Sequence, residues 1–153
     1  MLIMAPSDEN ECRKMLTTAY RHEGPSAVRY PRGNGPGVAV DATLDTLPVG
    51  KAEVRREIRQ NDKPTAHRVA LLAFGSMLTP ALAAAEELDA AVVNMRFVKP
   101  LDEALLKTLA ADHALFVSLE ENTVIGGAGA EIARCLERHG LTVPLLRLGL
   151  PDR

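Results

Sequence analysis

The sequence predicts an α/β protein: a three-layer α/β/α domain with a largely parallel sheet, preceded by a separate βαβ unit. Three observations carry this. Short apolar runs alternate with segments of helical spacing along the whole chain, so strands and helices take turns. Aromatic residues make up only 3% and Trp is absent. The core must then be Ala, Val, Leu and Ile, which suits helix-on-sheet packing better than a sandwich with aromatic anchors. Finally, the breaker cluster Gly33-Asn34-Gly35-Pro36-Gly37 divides a short first part from a longer second one. Residues 1–33 read as the tail of one domain, 34–65 as an interdomain linker, and 66–153 as a second domain cut short at its end.

Leu2 to Ala5 is an apolar run that reads as a buried strand, although such a strand needs neighbours on both sides. Pro6-Ser7-Asp8 stops it and starts a helix. Asp8 and Glu11 have the spacing of a capping box, and Cys12, Met15, Leu16, Ala19 and Tyr20 form one apolar helix face. Gly24-Pro25 ends this helix, and Ser26 to Tyr30 is a second strand, giving a parallel βαβ pair. In the linker, Val49 to Ile58 reads as an edge strand or ribbon, and Arg59 to Pro64 as an exposed loop.

Val69 to Phe74 is the first strand of the second domain. Thr79-Pro80 supplies an N-cap and first helical residue for a helix running to about Leu88. Ala91–Met95 is the next strand, and Asp102 caps a helix with Leu105, Leu106 and Leu109. Ala114–Leu119 is a further strand. After Gly126-Gly127-Ala128-Gly129 comes a helix with Ile132, Cys135 and Leu136 inside, and Val143–Leu148 is the last strand. These strands are expected in one sheet, folded independently of residues 1–32.

The formal net charge is −2, which points to neither nucleic acid nor an anionic membrane as a partner. No apolar run approaches bilayer-spanning length. Cys12 and Cys135 sit inside helical patterns and read as buried, reduced thiols, as in a cytoplasmic protein. None of His22, His67, His113 and His139 has a Cys, His or carboxylate partner at a metal-ligand spacing, so no metal site is expected.

Four stretches carry possible chemistry. Val28-Arg29-Tyr30-Pro31-Arg32-Gly33 places two arginines at the carboxyl end of a parallel strand, where open α/β sheets bind ligands. Guanidinium groups match phosphate oxygens bidentately, so Arg29 and Arg32 are either an anion site or loop arginines paired with carboxylates. Ile125 to Glu131 opens a helix on glycines and could cradle a phosphate, but its spacing favours a tight turn and close packing. Glu120 and Glu121 are adjacent on a strand, so they point to opposite faces and read as interface or loop-anchoring carboxylates rather than an acid–base pair. Arg96 to Pro100 reads as a crossover rather than an anion site.

Taken together, Met4-Ala5-Pro6-Ser7-Asp8-Glu9-Asn10-Glu11 and Gly24 through Asn34 resemble the end of the pyrimidine-binding domain of the 1-deoxy-D-xylulose-5-phosphate synthase family. Met95 through Asp102, Glu120-Glu121-Asn122 with Gly126 to Gly129, and Leu148-Gly149-Leu150-Pro151-Asp152 resemble its transketolase-type carboxy-terminal domain. The matches run in order along the chain, save for residues 52–66. The resemblance implies a transferase dependent on thiamine diphosphate and Mg2+. It condenses pyruvate with glyceraldehyde 3-phosphate, with loss of CO2, for isoprenoid, thiamine and pyridoxal synthesis. It implies a homodimer, a phosphate-binding role for Arg32 and then Arg29, and cofactor, metal and catalytic residues in amino-terminal segments that have no counterpart here. The chain alone is then expected to be inactive and to bind no cofactor. Two other readings stand beside it: a non-catalytic oligomerisation or interaction module, and a 2-oxoacid dehydrogenase β-type fragment, which needs no phosphate clamp.

Overall fold

The structure is a computed structural model that describes residues 1–59 and 64–151. Most of the exposed loop expected over Arg59 to Pro64, and Asp152 of the last motif, lie outside the described residues. In chain order the elements are β1 (Leu2–Met4), α1 (Glu9–Arg21), β2 (Ser26–Val28), β3 (Glu53–Arg56), β4 (Val69–Ala73), α2 (Leu78–Leu88), β5 (Ala91–Asn94), β6 (Phe97–Lys99), α3 (Glu103–Asp112), β7 (Leu115–Thr123), α4 (Ala128–Arg138) and β8 (Leu145–Leu150). Among the described residues, no helix is long and apolar enough to cross a membrane.

The larger sheet has the order β3-β5-β4-β7-β8 and is parallel except for β3, which runs antiparallel to β5. The expected strands fall in it together, with β8 starting at Leu145 rather than Val143. Alternation along β4 sends Ala70 and Leu72 to one face and Leu71 and Ala73 to the other. The first face packs under Leu106 and Leu109 of α3 and Ile132, Cys135 and Leu136 of α4. The second packs against Leu78, Ala81 and Ala85 of α2. Alanines on α2 let that helix sit close to the strands. This is the three-layer α/β/α arrangement.

Local start signals were partly right. Asp8 caps α1 by accepting from the Glu11 N–H at 2.7 Å, and Asp102 caps α3 by accepting from Leu105 N–H at 3.2 Å. Thr79-Pro80, however, lies inside α2, which begins at Leu78 behind a tight turn over Gly75–Met77. Proline is compatible with that place, because the first-turn N–H groups of a helix have no intrahelical acceptor.

Residues 1–32 are not independent of the rest. β1 is the central strand of a second sheet, β2-β1-β6, parallel to β2 and antiparallel to β6. The second neighbour that β1 needs is therefore Phe97–Lys99, read from sequence as a simple crossover. Leu2, Met4, Met15 and Phe97 form a buried cluster beneath α1, and Ala5 belongs to the core of the larger sheet. The stretch read as linker also contributes structure. β3, within the Val49–Ile58 stretch read as an edge strand or ribbon, is the antiparallel edge of the larger sheet, and residues 37–47 are tied along α1. There Asn10 and Asp41 exchange hydrogen bonds, Lys14 pairs with Asp41 at 3.0 Å, and Arg13 donates to the Ala42 and Thr43 carbonyls. On α1, Met15 is buried as expected, but Leu16 and Tyr20 of the same predicted face are exposed.

Phe97 is the fully buried anchor of the small sheet's core, packed with Leu2, Met4 and Met15, so Phe97→Ala should lower stability by about 3–5 kcal/mol. The exposed Leu16→Ala should change it little. Urea unfolding followed by circular dichroism checks this. Equal effects of the two substitutions would show that this cluster is not a core.

Candidate functional site

The strongest candidate lies where β2 ends. The Arg29 N–H still bonds to the Met4 carbonyl at 2.8 Å, and beyond it the chain turns away from the sheet. Tyr30, Pro31, Gly33 and Gly35 then line a cavity of about 770 Å³ together with Pro6 to Glu9 at the start of α1, Ser76 in the turn before α2 and Thr79 in α2. The amino terminus of a helix is an electropositive place, but Asp8 and Glu9 bring carboxylates to it. Both are occupied. Asp8 caps α1, and Glu9 accepts from Gly37 N–H at 2.9 Å and Val38 N–H at 3.4 Å. Glu9's own backbone N–H first, then that of Gly37, hold its carboxyl below the ordinary glutamate value. Gly35 permits this wrapping, because a Cβ there would collide with the Glu9 carboxylate.

The two sequence-predicted arginines separate in role. Arg29 turns toward β7, where its guanidinium meets the Glu121 carboxylate at 3.4 Å and the Glu121 carbonyl at 3.5 Å. This is the paired-loop reading for Arg29. Arg32 is exposed, stands between two cavity-lining residues, and has no hydrogen-bond or ion-pair partner among the described residues. Arg32 itself is not among the residues that line the cavity; it stands beside it on a Pro-stiffened turn.

The glycine turn before α4 does not have that capacity. Glu120, buried at the end of β7, accepts from the Ala128 N–H at 2.7 Å and the Gly129 N–H at 2.8 Å. The chain's own carboxylate thus occupies the place a phosphate would take at this helix terminus. A Cβ on Gly127 would fall within contact distance of that carboxylate and of the Thr123 carbonyl, so the glycine serves close approach. These residues do not fit a bound diphosphate. Glu120 anchors the turn, as the loop-anchoring reading anticipated, and Glu121 holds Arg29.

A buried polar network missed by the sequence reading joins both sheets. Glu11 accepts from Ser7 N–H at 2.8 Å, from Asn94 Nδ2 at 3.0 Å and from Arg96 Nε at 2.7 Å. Arg96 also reaches Glu53 on β3 at 2.6 Å. Only the Asp8–Glu11 spacing hinted at it, and the box is altered: Glu11 reaches the N–H of Ser7 rather than that of Asp8. The histidine expectation also needs correction. His139 Nε2 lies 2.6 Å from Glu103 Oε2, with the Cys135 thiol beside them. The i, i+4 spacing of Cys135 and His139 was the available signal, but Glu103 is distant in sequence. Cys135 is buried as expected, whereas Cys12 is partly exposed.

Comparison with known proteins fits this architecture. Residues 52–153 match the transketolase C-terminal domain family. Over 153 residues the chain is 61% identical to a 1-deoxy-D-xylulose-5-phosphate synthase of Thioalkalivibrio sulfidiphilus (strain HL-EbGR7), spanning 100% of this chain and 23% of that protein. It is also 61% identical over 153 residues to the protein of that name in Dechloromonas aromatica (strain RCB), spanning 24% of it. The chain thus spans about a quarter of the length of these curated relatives. A solved structure, a split gene transketolase in an inactive beta4 tetramer, superposes with a TM-score of 0.80 at 28% identity, over 99% of this chain and 49% of that one.

Two outcomes test the geometry. Glu120→Ala leaves two buried N–H groups unpaired and should cost about 1–3 kcal/mol, with Glu120→Gln intermediate, as read by thermal denaturation. For Glu9 the folded pKa is depressed, so its contribution is present above the ordinary glutamate range and is lost as pH falls through the folded value. Amide exchange at Gly37 and Val38 should therefore quicken, relative to intrinsic rates, as pH falls below that range, and Glu9→Ala should abolish the pH dependence.

Proposed function

The chain belongs to the transketolase C-terminal domain family, and we propose that it works as the carboxy-terminal part of a 1-deoxy-D-xylulose-5-phosphate synthase. The observation that carries the reading is identity of 61% with such synthases along the whole chain. The activity assigned is condensation of pyruvate with glyceraldehyde 3-phosphate, with loss of CO2. Thiamine diphosphate and Mg2+ supply the chemistry that links the two substrates, and we assign them to other segments of the synthase, since Glu120 already fills the glycine-rich terminus of α4. By the same reading the protein is a cytoplasmic homodimer. The exposed Leu16 and Tyr20 on α1 support a further covering surface, supplied by the rest of the pyrimidine-binding domain or by the second subunit. The domain limits we assign are residues 1–33 for the pyrimidine-domain tail and 34–65 for a connecting segment that is strapped to α1 and lends β3 to the sheet.

Within this function Arg32 is the phosphate-binding residue. The acceptor aldehyde carries its phosphate far from the reacting carbon. Fixing that remote dianion orients the aldehyde, so binding energy at the phosphate is used for positioning. Arg29, engaged by Glu121, is the weaker second contact and needs that pair to loosen before it reaches the substrate.

Replacing Arg32 with Ala in the complete synthase removes a charge-assisted pair worth about 1.5–3 kcal/mol, roughly one to two powers of ten in kcat/KM for glyceraldehyde 3-phosphate. Arg32→Lys should recover only part, because a point charge cannot form the bidentate fork. Pyruvate decarboxylation without acceptor should change little. An equal loss with unphosphorylated glyceraldehyde would show that Arg32 is structural.

A further inference from the structure

We propose that Glu103, Cys135 and His139 form a binding site for a soft divalent cation of the zinc class, at a place remote in sequence from the turn assigned to substrate. The three residues come from two helices. Glu103 opens α3, Cys135 lies in the last turns of α4, and His139 is the residue that ends α4. Cys135 and His139 are four apart on one helix, so their side chains stack on one face. The thiol sulfur, an imidazole nitrogen and a carboxylate oxygen all lie within 4.8 Å of one another. That spacing lets small rotamer adjustments bring all three to bonds of about 2.0–2.3 Å around one ion.

The environment favours coordination in two further ways. Arg138 pairs with Oε1 of Glu103 and leaves Oε2 facing His139. A cation held this way on the outer oxygen orients a ligand as outer-shell partners do in metal sites. The site is also closed beneath and open above. Cys135 is fully buried, while the His139 and Glu103 side chains are 24% and 38% exposed, leaving an entry path and a fourth position for water. Binding releases the thiol proton to solvent and displaces the proton that Nε2 shares with Glu103 Oε2, which passes to Nδ1 of a neutral imidazole or to solvent from a charged one, so that Nε2 can coordinate. Thiolate and imidazole select zinc, cobalt or cadmium over magnesium or calcium. The ion would clamp the start of α3 to the end of α4, both of which cover the same face of the larger sheet.

The test is titration of the 153-residue chain with Zn2+ by calorimetry and with Co2+ by absorption, which requires no synthase activity. One ion should bind per chain, and cobalt should show a thiolate charge-transfer band. Cys135→Ser should remove the band and weaken zinc binding roughly 100-fold, and His139→Gln or Glu103→Gln roughly 10-fold or more. Cys12→Ser should leave the band in place. The two substitutions at partly exposed positions carry the test even if Cys135→Ser fails to fold. Absence of stoichiometric binding to the folded chain, a thiolate band that survives Cys135→Ser, or zinc affinity unchanged in both His139→Gln and Glu103→Gln would overturn the proposal.

Discussion

The buried carboxylate of Glu11 is the interaction on which the rest of the arrangement depends. It lies on α1 of the small sheet, yet its partners are Asn94 at the end of β5 and Arg96 just beyond. Burying a carboxylate is costly unless it is both paired and hydrogen-bonded. Glu11 meets both conditions only when the two sheets are docked as they are. Removing either Asn94 or Arg96 would leave a buried charge short of donors. The network therefore fixes how the first thirty or so residues sit on the domain that follows, more sharply than the non-directional packing of Phe97 does. Arg96 adopts a left-handed backbone conformation, φ 58°, to send the chain from β5 into β6 while keeping its guanidinium on Glu11 and Glu53.

That docking has a consequence for the site. The turn after β2 is held by the β1–β2 pairing, and β1 is held by β6. The turn carrying Arg32 thus follows a strand whose neighbour, β1, is itself paired with β6. Arg29 adds a direct link by pairing with Glu121 on β7. The two arginines differ because one meets a carboxylate of the neighbouring sheet and the other extends past it.

The two glycine-rich stretches illustrate one physical rule with different outcomes. Glycine lets backbone N–H groups approach an anion closely. In both places the anion is the protein's own. Glu9 binds the amides of Gly37 and Val38, and Glu120 binds those of Ala128 and Gly129. Both contacts secure loops, and neither leaves the amides free for a ligand.

The sequence by itself determined the α/β class, the strands and helices of the larger sheet, the caps at Asp8 and Asp102, and the arginine turn. These depend on periodicity and short-range chemistry, which neighbouring residues carry. Resemblance along the chain also made the family legible. What only the tertiary structure decided were partners far apart in the chain. Phe97–Lys99 became a strand because β1 offered it an open edge, and the edge strand legible over Val49–Ile58 found its partner only in β5. Leu16 and Tyr20 are exposed because the small sheet is too narrow to cover the whole apolar face of α1. Arg29 lost its freedom to Glu121 while Arg32 kept it, and Glu103 arrived beside Cys135 and His139. Local patterns state which face of an element is apolar or charged, but not which distant element will meet it, because that choice is made by the summed packing of the whole chain.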